Sequence, residues 1–362
     1  MKVVIIGAGV AGLSIGWRLA QAFSNRPGAE VTILERAQPA AGASWAAAGM
    51  IAVTAELLDA HAAEIEFACH SNDLWPEFAQ EVEAASNRMI GYSHAGALLL
   101  AEDEAALARL SKKAGPGLEI LGPDEARALA PMVTARLAGA LWAPKEAHVD
   151  NRALGIALGV AFQRAGGKLK PNEAVVRIER RGEAAAIAHT PFGLYHADVF
   201  VLAAGAWSGL VEPELAPITP VKGEMIALAP PKGVPVGGPV IWGNQIYAVP
   251  RDGRLLIGAT AESVGFDTSI TDAARDFLKA RAEELMPALR EWSVSDQWAA
   301  LRPRSPDGQP LLGPTRTAGL WLASGQFRNG ILFAPAIAES ITAQLMGKTL
   351  PIPAFDPRRI KA

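Results

Sequence analysis

Six residues near the start of the chain have the spacing to cradle a diphosphate. Gly7-Ala8-Gly9-Val10-Ala11-Gly12 reads G-x-G-x-x-G. It follows an apolar run, Val3-Val4-Ile5-Ile6, and opens an apolar helical stretch. A second strand pattern then ends in Glu35. In that setting each glycine has a task. Gly7 allows the tight turn, Gly9 lets the backbone approach a pyrophosphate, and Gly12 lets helix and strand pack closely. The helix N-terminus then favours the phosphate charge. Glu35 stands where a carboxylate can accept from both ribose hydroxyls; a 2′-phosphate would be repelled there, which disfavours NADP. In a chain with 35 glycines the motif without this context would be weak. A glycine-rich turn without a ligand is the alternative.

The fingerprint does not separate FAD from NAD, but two further segments, Ala41 to Met50 and Leu320 to Leu332, bear on the choice, and a third reads as a strand meeting a ligand. Ala41 to Met50 (Ala-Gly-Ala-Ser-Trp-Ala-Ala-Ala-Gly-Met) is a tract of small residues directly after the ribose-binding strand. It suits either a close helix contact or backbone amides approaching a flat or charged ligand. Val199 to Leu202 is a strand ending at Ala203-Ala204-Gly205, the pattern of a central parallel strand meeting a ligand. Near the C-terminus, Leu320 to Leu332 again reads strand, glycine-rich turn, helix. Distant segments serving one long cofactor favour FAD. The chain has no second G-x-G-x-x-G in a βαβ unit, which argues against a separate NADPH domain.

Other chemistry-bearing residues are sparse. Arg302 ends an apolar strand pattern (Trp298 to Leu301) and precedes Pro303, so it is held at a strand terminus rather than free on a surface; Arg304 reads as structural. The six histidines (61, 70, 94, 148, 189, 196) show no metal-ligand spacing, and no metal is expected. Cys69 is the sole cysteine, which excludes an internal disulfide and fits a reducing, cytoplasmic setting. Lys+Arg number 34 against Asp+Glu 37, a net charge of −3 with no basic run longer than a pair, so no general nucleic-acid partner is expected. Outside Val3 to Phe23 no run approaches the ~20 uninterrupted apolar residues a membrane helix needs, and no membrane partner is expected. Val3 to Phe23 could be read as a signal peptide with Ala20-Gln21-Ala22 as its cleavage site. Glycines at 7, 9, 12 and 16 and a charge at Arg18 favour a buried strand and helix instead.

The elements that must position these residues follow from periodicity and turn signals. Helices are expected over 55–88, in two pieces over 102–130, from 150 to 166 with Asp150 as N-cap, over 271–290, and from 330 to 346. A strand pair is expected over 91–101. Strands are expected at 175–178, 199–202, 298–301 and 320–323. Residues 218–260 are strand-rich, with Asp252-Gly253 marking a hairpin. The fold class is α/β: a Rossmann-like FAD-binding domain with an inserted, mainly antiparallel β substrate-binding domain. The FAD domain is expected at 1–90, 145–215 and 300–362. The substrate domain is expected at 91–144 and 216–299. At 362 residues, about two such units fit the length.

These strings, in this order, resemble the D-amino-acid oxidase family of flavoproteins, in its bacterial glycine oxidase branch. Further matches are Ala203 to Ser208, Pro220 to Glu224, Tyr247 to Arg251, Gly258-Ala259-Thr260, Leu301 to Pro303 with Asp307-Gly308, and Gly325 to Pro335. The resemblance covers nearly the whole chain. It implies FAD contacts at Val10, Ala11, Glu35, Arg36, Ala43, Ser44, Ala48, Gly49 and Met50. It also implies a backbone contact at Val175 and a ring of contacts through Gln326, Phe327, Arg328, Asn329, Gly330, Ile331 and Leu332. It implies that Arg302 and Tyr247 hold a substrate carboxylate, with Arg328 beside flavin and substrate. Two positions depart from the pattern. Relatives often carry histidine where this chain has Gln326, and a bulkier residue where it has Ala261, so a wider pocket for larger amines is expected.

The implied activity is FAD-dependent oxidative deamination of glycine or another small amino acid with molecular oxygen, yielding oxo acid, ammonia and hydrogen peroxide. The flavin carries the chemistry by accepting a hydride at N5, and no side chain is required as a catalytic base. With no cysteine or histidine in the flavin segments, FAD is expected to be non-covalent. By analogy with relatives, a homo-oligomer and a role in thiamine biosynthesis are expected. The alternatives are a D-amino-acid dehydrogenase using another acceptor, an oxidase domain acting on a modified tRNA base, and a nucleotide-binding module without catalysis.

Overall fold

The computed structural model describes residues 1–57, 60–133, 136–348 and 352–360. Residues 58–59, inside the helix expected over 55–88, lie outside the described residues. So do 134–135, 349–351 and 361–362, which fall within the expected domain ranges.

A six-stranded sheet carries the fingerprint. Its spatial order is Leu311–Pro314, Leu320–Ser324, Val199–Leu202, Lys2–Ile6, Glu30–Leu34 and Lys168–Lys170. All neighbours are parallel except the first pair. A parallel sheet must be covered on both faces. On one face pack the helices Val10–Phe23, Ala62–Ser86, Asn151–Arg164 and Ala334–Leu345, through Leu13, Trp17, Trp75, Phe162 and Ile337. On the other lies a three-stranded antiparallel sheet (residues 177–196) that meets Val4, Ile6, Phe200 and Leu202. The apolar run Val3 to Ile6 is therefore a central strand buried on both sides, with its C-terminal end at the glycine turn.

The second sheet has eight strands, in the order Ser293–Arg304, Thr219–Ala229, Arg254–Gly258, Ile246–Arg251, Val240–Gly243, Ala97–Ala101, Gly139–Ala143 and Glu119–Leu121. It is antiparallel apart from the pairing of 240–243 with 97–101. Period-two alternation assigns its faces. Ile226, Leu228, Ile246 and Ala248 turn towards helix Asp272–Leu285. Met225, Ala227, Tyr247 and Val249 turn the opposite way, together with Ala46, Ala48 and Trp298. The hairpin at Asp252-Gly253 forms as its sequence requires, both residues having positive φ (47° and 69°). Asp150 caps its helix, accepting from the backbone N–H of Arg152 and Ala153 at 2.8 and 3.0 Å.

Several elements differ from the sequence reading. The helix expected over 55–88 is two, Val53–Leu57 and Ala62–Ser86. The strand pair over 91–101 is one strand, Ala97–Ala101, plus an isolated bridge between Ser93 and His148; Gly91 and Gly96, both with positive φ, interrupt the extended run. A three-residue edge strand, Glu119–Leu121, separates the two helices of 102–130. The last helix begins at Ala334, because residues 326–333 form irregular turns first. Strand Ser293–Arg304, an edge strand of the eight-stranded sheet, runs across the domain boundary expected at residue 299. Among the described residues no helix is long and apolar enough to cross a membrane.

Candidate functional site

One long cleft runs between the parallel sheet and the inward face of the antiparallel sheet. Its first end is the glycine turn. Gly7 has φ +108°, and a Cβ there would lie 2.4 Å from Ala203 O, so only glycine fits where the two central strands end. Gly9, Val10 and Ala11 line the cleft at the N-terminus of helix Val10–Phe23. Gly12, the fingerprint glycine expected to let helix and strand pack closely, does not line it. A Cβ on Gly12 would lie 2.0 Å from Gly7 O, so this glycine serves the packing of the helix onto the turn.

Glu35 lines the same end. Its Oε2 accepts from Ala8 N at 2.8 Å and its Oε1 from Ala37 N at 2.9 Å, which fixes the carboxylate plane. Each oxygen keeps a further lone pair for a hydroxyl. Beside it, the Arg36 guanidinium stacks 3.5 Å from the centre of the Trp207 ring. Val175 and Gly205 complete this end.

The small-residue tract forms one wall: Ala43, Ser44, Ala48, Gly49 and Met50 all line the cleft. Two residues absent from the sequence expectations hold it. Asn151 Nδ2 donates to Ser44 O and Trp45 O at 2.7 and 2.8 Å. Half-buried Arg251 donates to Ala48 O, to Val149 O and to Asn151 Oδ1. Desolvation lowers the Arg251 pKa to about 10. Arg251 belongs to the matched string that starts at Tyr247, but nothing in its spacing announced this contact. At the opposite wall Gln326 to Leu332 also line the cleft. Gln326 Nε2 and Asn329 Oδ1 are buried there without a protein partner. A bare donor and a bare acceptor on one turn suit a ring edge that carries both, as that of a flavin does.

The far end gathers Tyr247, Arg302 and Arg328. Arg302 Nη1 donates to Thr260 O at 3.0 Å, and among the described residues this guanidinium has no carboxylate within 4 Å. It lies on Gly223, where a Cβ would be 2.2 Å from Nη1. Tyr247 lies in the same way on Gly258, with a hypothetical Cβ 2.5 Å from its hydroxyl. The Tyr247 hydroxyl is directed at Met225 Sδ at 3.6 Å, a weak acceptor. Burial raises its pKa, opposed by Arg302.

A fourth group here was missed by the sequence reading. Glu56, on the short helix Val53–Leu57, pairs with Arg328 (Oε2 to Nε 3.0 Å), and its side chain is 7% exposed. Desolvation raises its pKa, opposed first by Arg328 and then by Arg302. Behind it, buried Glu146 accepts from Thr54 N and Ala55 N (2.5 and 3.2 Å), and desolvation pushes its pKa up to about 7. No histidine lines the cleft, and Cys69 is exposed on helix Ala62–Ser86. Among the described residues no group of three or more His, Cys, Asp or Glu could hold a metal.

The chain matches the family described as FAD dependent oxidoreductase over residues 2–345. It is 36% identical over 364 residues to the bifunctional protein ThiO/ThiG of Synechocystis, covering 99% of this chain but spanning only about half (54%) of that relative. It is 34% identical to the glycine oxidase of Pseudomonas aeruginosa, covering 98% of this chain and 97% of the relative. The crystal structure of glycine oxidase from Geobacillus kaustophilus superposes with a TM-score of 0.92 at 29% identity, covering both chains completely.

Proposed function

Because the chain belongs to the D-amino-acid oxidase family of FAD-dependent oxidoreductases, we propose that it catalyses the oxidative deamination of glycine or another small amino acid. Amine, oxygen and water become oxo acid, ammonia and hydrogen peroxide. The observation that carries this reading is the charge balance at the far end of the cleft. Arg302 and Arg328 face one carboxylate, Glu56, which is already paired with Arg328. The Arg302 guanidinium is left to bind one more anion, and its planar fork orients a carboxylate as well as neutralising it. A monocarboxylic amino acid meets that need.

Bound FAD supplies the two-electron acceptor; the chain supplies position and dryness. In this assignment Gly7, Gly9, Val10, Ala11, Glu35, Arg36 and Val175 hold the nucleotide half. Gly205 completes that half, and Ala43, Ser44, Ala48 to Met50 and Gln326 to Leu332 hold the rest. Arg302 fixes the substrate carboxylate and Tyr247 adds a hydrogen bond. Met225, Tyr247 and Ala300 surround the site with largely buried surface that excludes water. The cleft offers no histidine base, so the substrate amine enters neutral and positioning does the protein's share. We place the enzyme in the cytoplasm, acting on small molecules rather than on nucleic acid or membrane, a placement supported by the net charge of −3 and the lone Cys69.

The test is a panel of amines given to purified yellow protein, read by peroxide production. Glycine, sarcosine and small D-amino acids are expected to turn over. The same amines without a carboxylate are expected to be poor substrates. Equal rates with and without the carboxylate would refute the reading.

A further inference from the structure

The strings Pro220 to Glu224 and Gly258 to Thr260 contain more than the two glycines that make room for Arg302 and Tyr247. Lys222 and Glu224 are 2% and 0% exposed, and their side chains pair at 3.0 Å. They flank Gly223 on strand Thr219–Ala229, so alternation sends both to the face opposite the one on which Arg302 rests. The cleft-facing machinery does not use them. Yet replacing a buried ion pair by apolar residues is often neutral or stabilising, so fold stability alone is a poor reason for this one.

The pair is built into the root of one connection. Residues 259–271 link strand Arg254–Gly258 to helix Asp272–Leu285, and from Ser263 to Ser269 every residue is exposed. Such a span is mobile unless it is tied down. Glu224 ties both ends. At the near end Glu224 N donates to Thr260 Oγ1 at 2.9 Å, and Thr260 N donates to Glu224 O at 3.2 Å. At the far end the Glu224 carboxylate accepts from Thr271 N at 2.8 Å and Thr271 Oγ1 at 3.0 Å. Gln297 Nε2 adds a further bond at 3.0 Å. Lys222 neutralises that carboxylate, and its backbone exchanges two 2.9 Å hydrogen bonds with Glu262. The residue clamped between these ties is Thr260, whose carbonyl receives Arg302 Nη1.

We propose that the buried Lys222–Glu224 pair is a positioning device for the carboxylate anchor: it staples the 259–271 connection so that Thr260 O holds Arg302 in place. The inference rests on the assigned role of Arg302. Neither Lys222 nor Glu224 touches substrate; both act through Thr260.

The test uses the holoenzyme and two variants. Lys222→Met/Glu224→Gln removes both charges at once, so no unpaired charge is left buried. Thr260→Val removes only the hydroxyl, which accepts from Glu224 N and donates to Glu262 Oε1 at 3.1 Å, and keeps the β-branched volume. The readouts are the Kd of acetate, from its perturbation of the flavin spectrum, and the separate kcat and KM for glycine. A misplacement of about 1 Å costs on the order of 100-fold. The double variant is therefore expected to raise acetate Kd and glycine KM about 10- to 100-fold, with kcat changed much less. Thr260→Val is expected to move both in the same direction by about 3- to 10-fold. If both variants are yellow and their Kd and KM lie within about twofold of wild type, whatever their Tm, the proposal is overturned. Arg302→Ala is measured in parallel. If it too leaves acetate Kd unchanged, the anchor assignment falls and the staple with it; if it weakens acetate while both variants do not, the staple alone falls.

Discussion

Gly223→Ala separates the place of Arg302 from the stability of the fold. A Cβ added at Gly223 would stand 2.2 Å from Arg302 Nη1 and 2.4 Å from both Cζ and Nη2. An ordinary contact begins at 3.4 Å, so the guanidinium must retreat by about 1.2 Å (3.4 − 2.2). The retreating group is the end of a flexible side chain, and Gly223 has no positive φ, so alanine needs no backbone strain. Stability should change by about 1 kcal/mol or less, the scale of an ordinary substitution. Function should respond differently. A shift of about 1 Å in a positioning group costs on the order of 100-fold in rate. The variant is thus expected to stay folded and yellow, with kcat/KM for glycine down about 30- to 300-fold and acetate binding weakened in parallel. Gly258→Ala is the comparator. There the Cβ meets the ring of Tyr247, which is 5% exposed and cannot swing away, so Tm and activity should fall together. The assays are thermal melts, flavin content, acetate titration and steady-state kinetics. Wild-type kcat/KM in folded Gly223→Ala would refute the placement of the anchor.

Further outcomes follow from the same geometry. Arg302→Ala strands a substrate carboxylate in a desolvated site, a loss of about 3–5 kcal/mol; kcat/KM should fall by about two to three orders of magnitude while FAD stays bound. Tyr247→Phe removes one hydrogen bond to a charged group, about 1.5–3 kcal/mol, and steady-state kinetics should show the smaller loss. Acid precipitation should release all the yellow colour into the supernatant, since Cys69 lies on helix Ala62–Ser86 outside the cleft; colour held in the washed pellet would contradict non-covalent FAD. Glu146 has its carboxyl raised from 4.5 to about 7 by burial, so the folded state holds a proton that the unfolded state has released. Its contribution is full below about pH 4.5 and is lost as pH rises to about 7 and beyond. Relative to wild type, Glu146→Gln should therefore gain Tm as pH climbs through that window, and parallel Tm–pH curves would count against it.

Much of this was legible in the chain because it rests on local rules. Val3 to Glu35 reads as strand, glycine turn, helix and strand, since each step is set by apolar runs and glycine sterics. Asp252-Gly253 and Asp150 marked their turn and cap through backbone preferences that need no distant partner. Arg302 was visible because an apolar strand and a proline frame it. What escaped depends on partners far apart in sequence. Glu56 looks like one of many acids on a helical stretch until folding places it against Arg328. Arg251 and Asn151 gain their role only once strand Ile246–Arg251 crosses the small-residue tract. Edge strand Glu119–Leu121 is too short for periodicity to register.

The central claim is that this cleft passes two electrons from a small amino acid to bound FAD and then to oxygen. Glycine added without oxygen to the yellow holoenzyme tests it most directly. The account predicts that the flavin absorbance bleaches, and that readmitted oxygen restores it with one hydrogen peroxide formed per flavin. Absence of bleaching with glycine, sarcosine and small D-amino acids alike would contradict it; bleaching with no peroxide on re-aeration would contradict the oxidase half and leave another electron acceptor to be found.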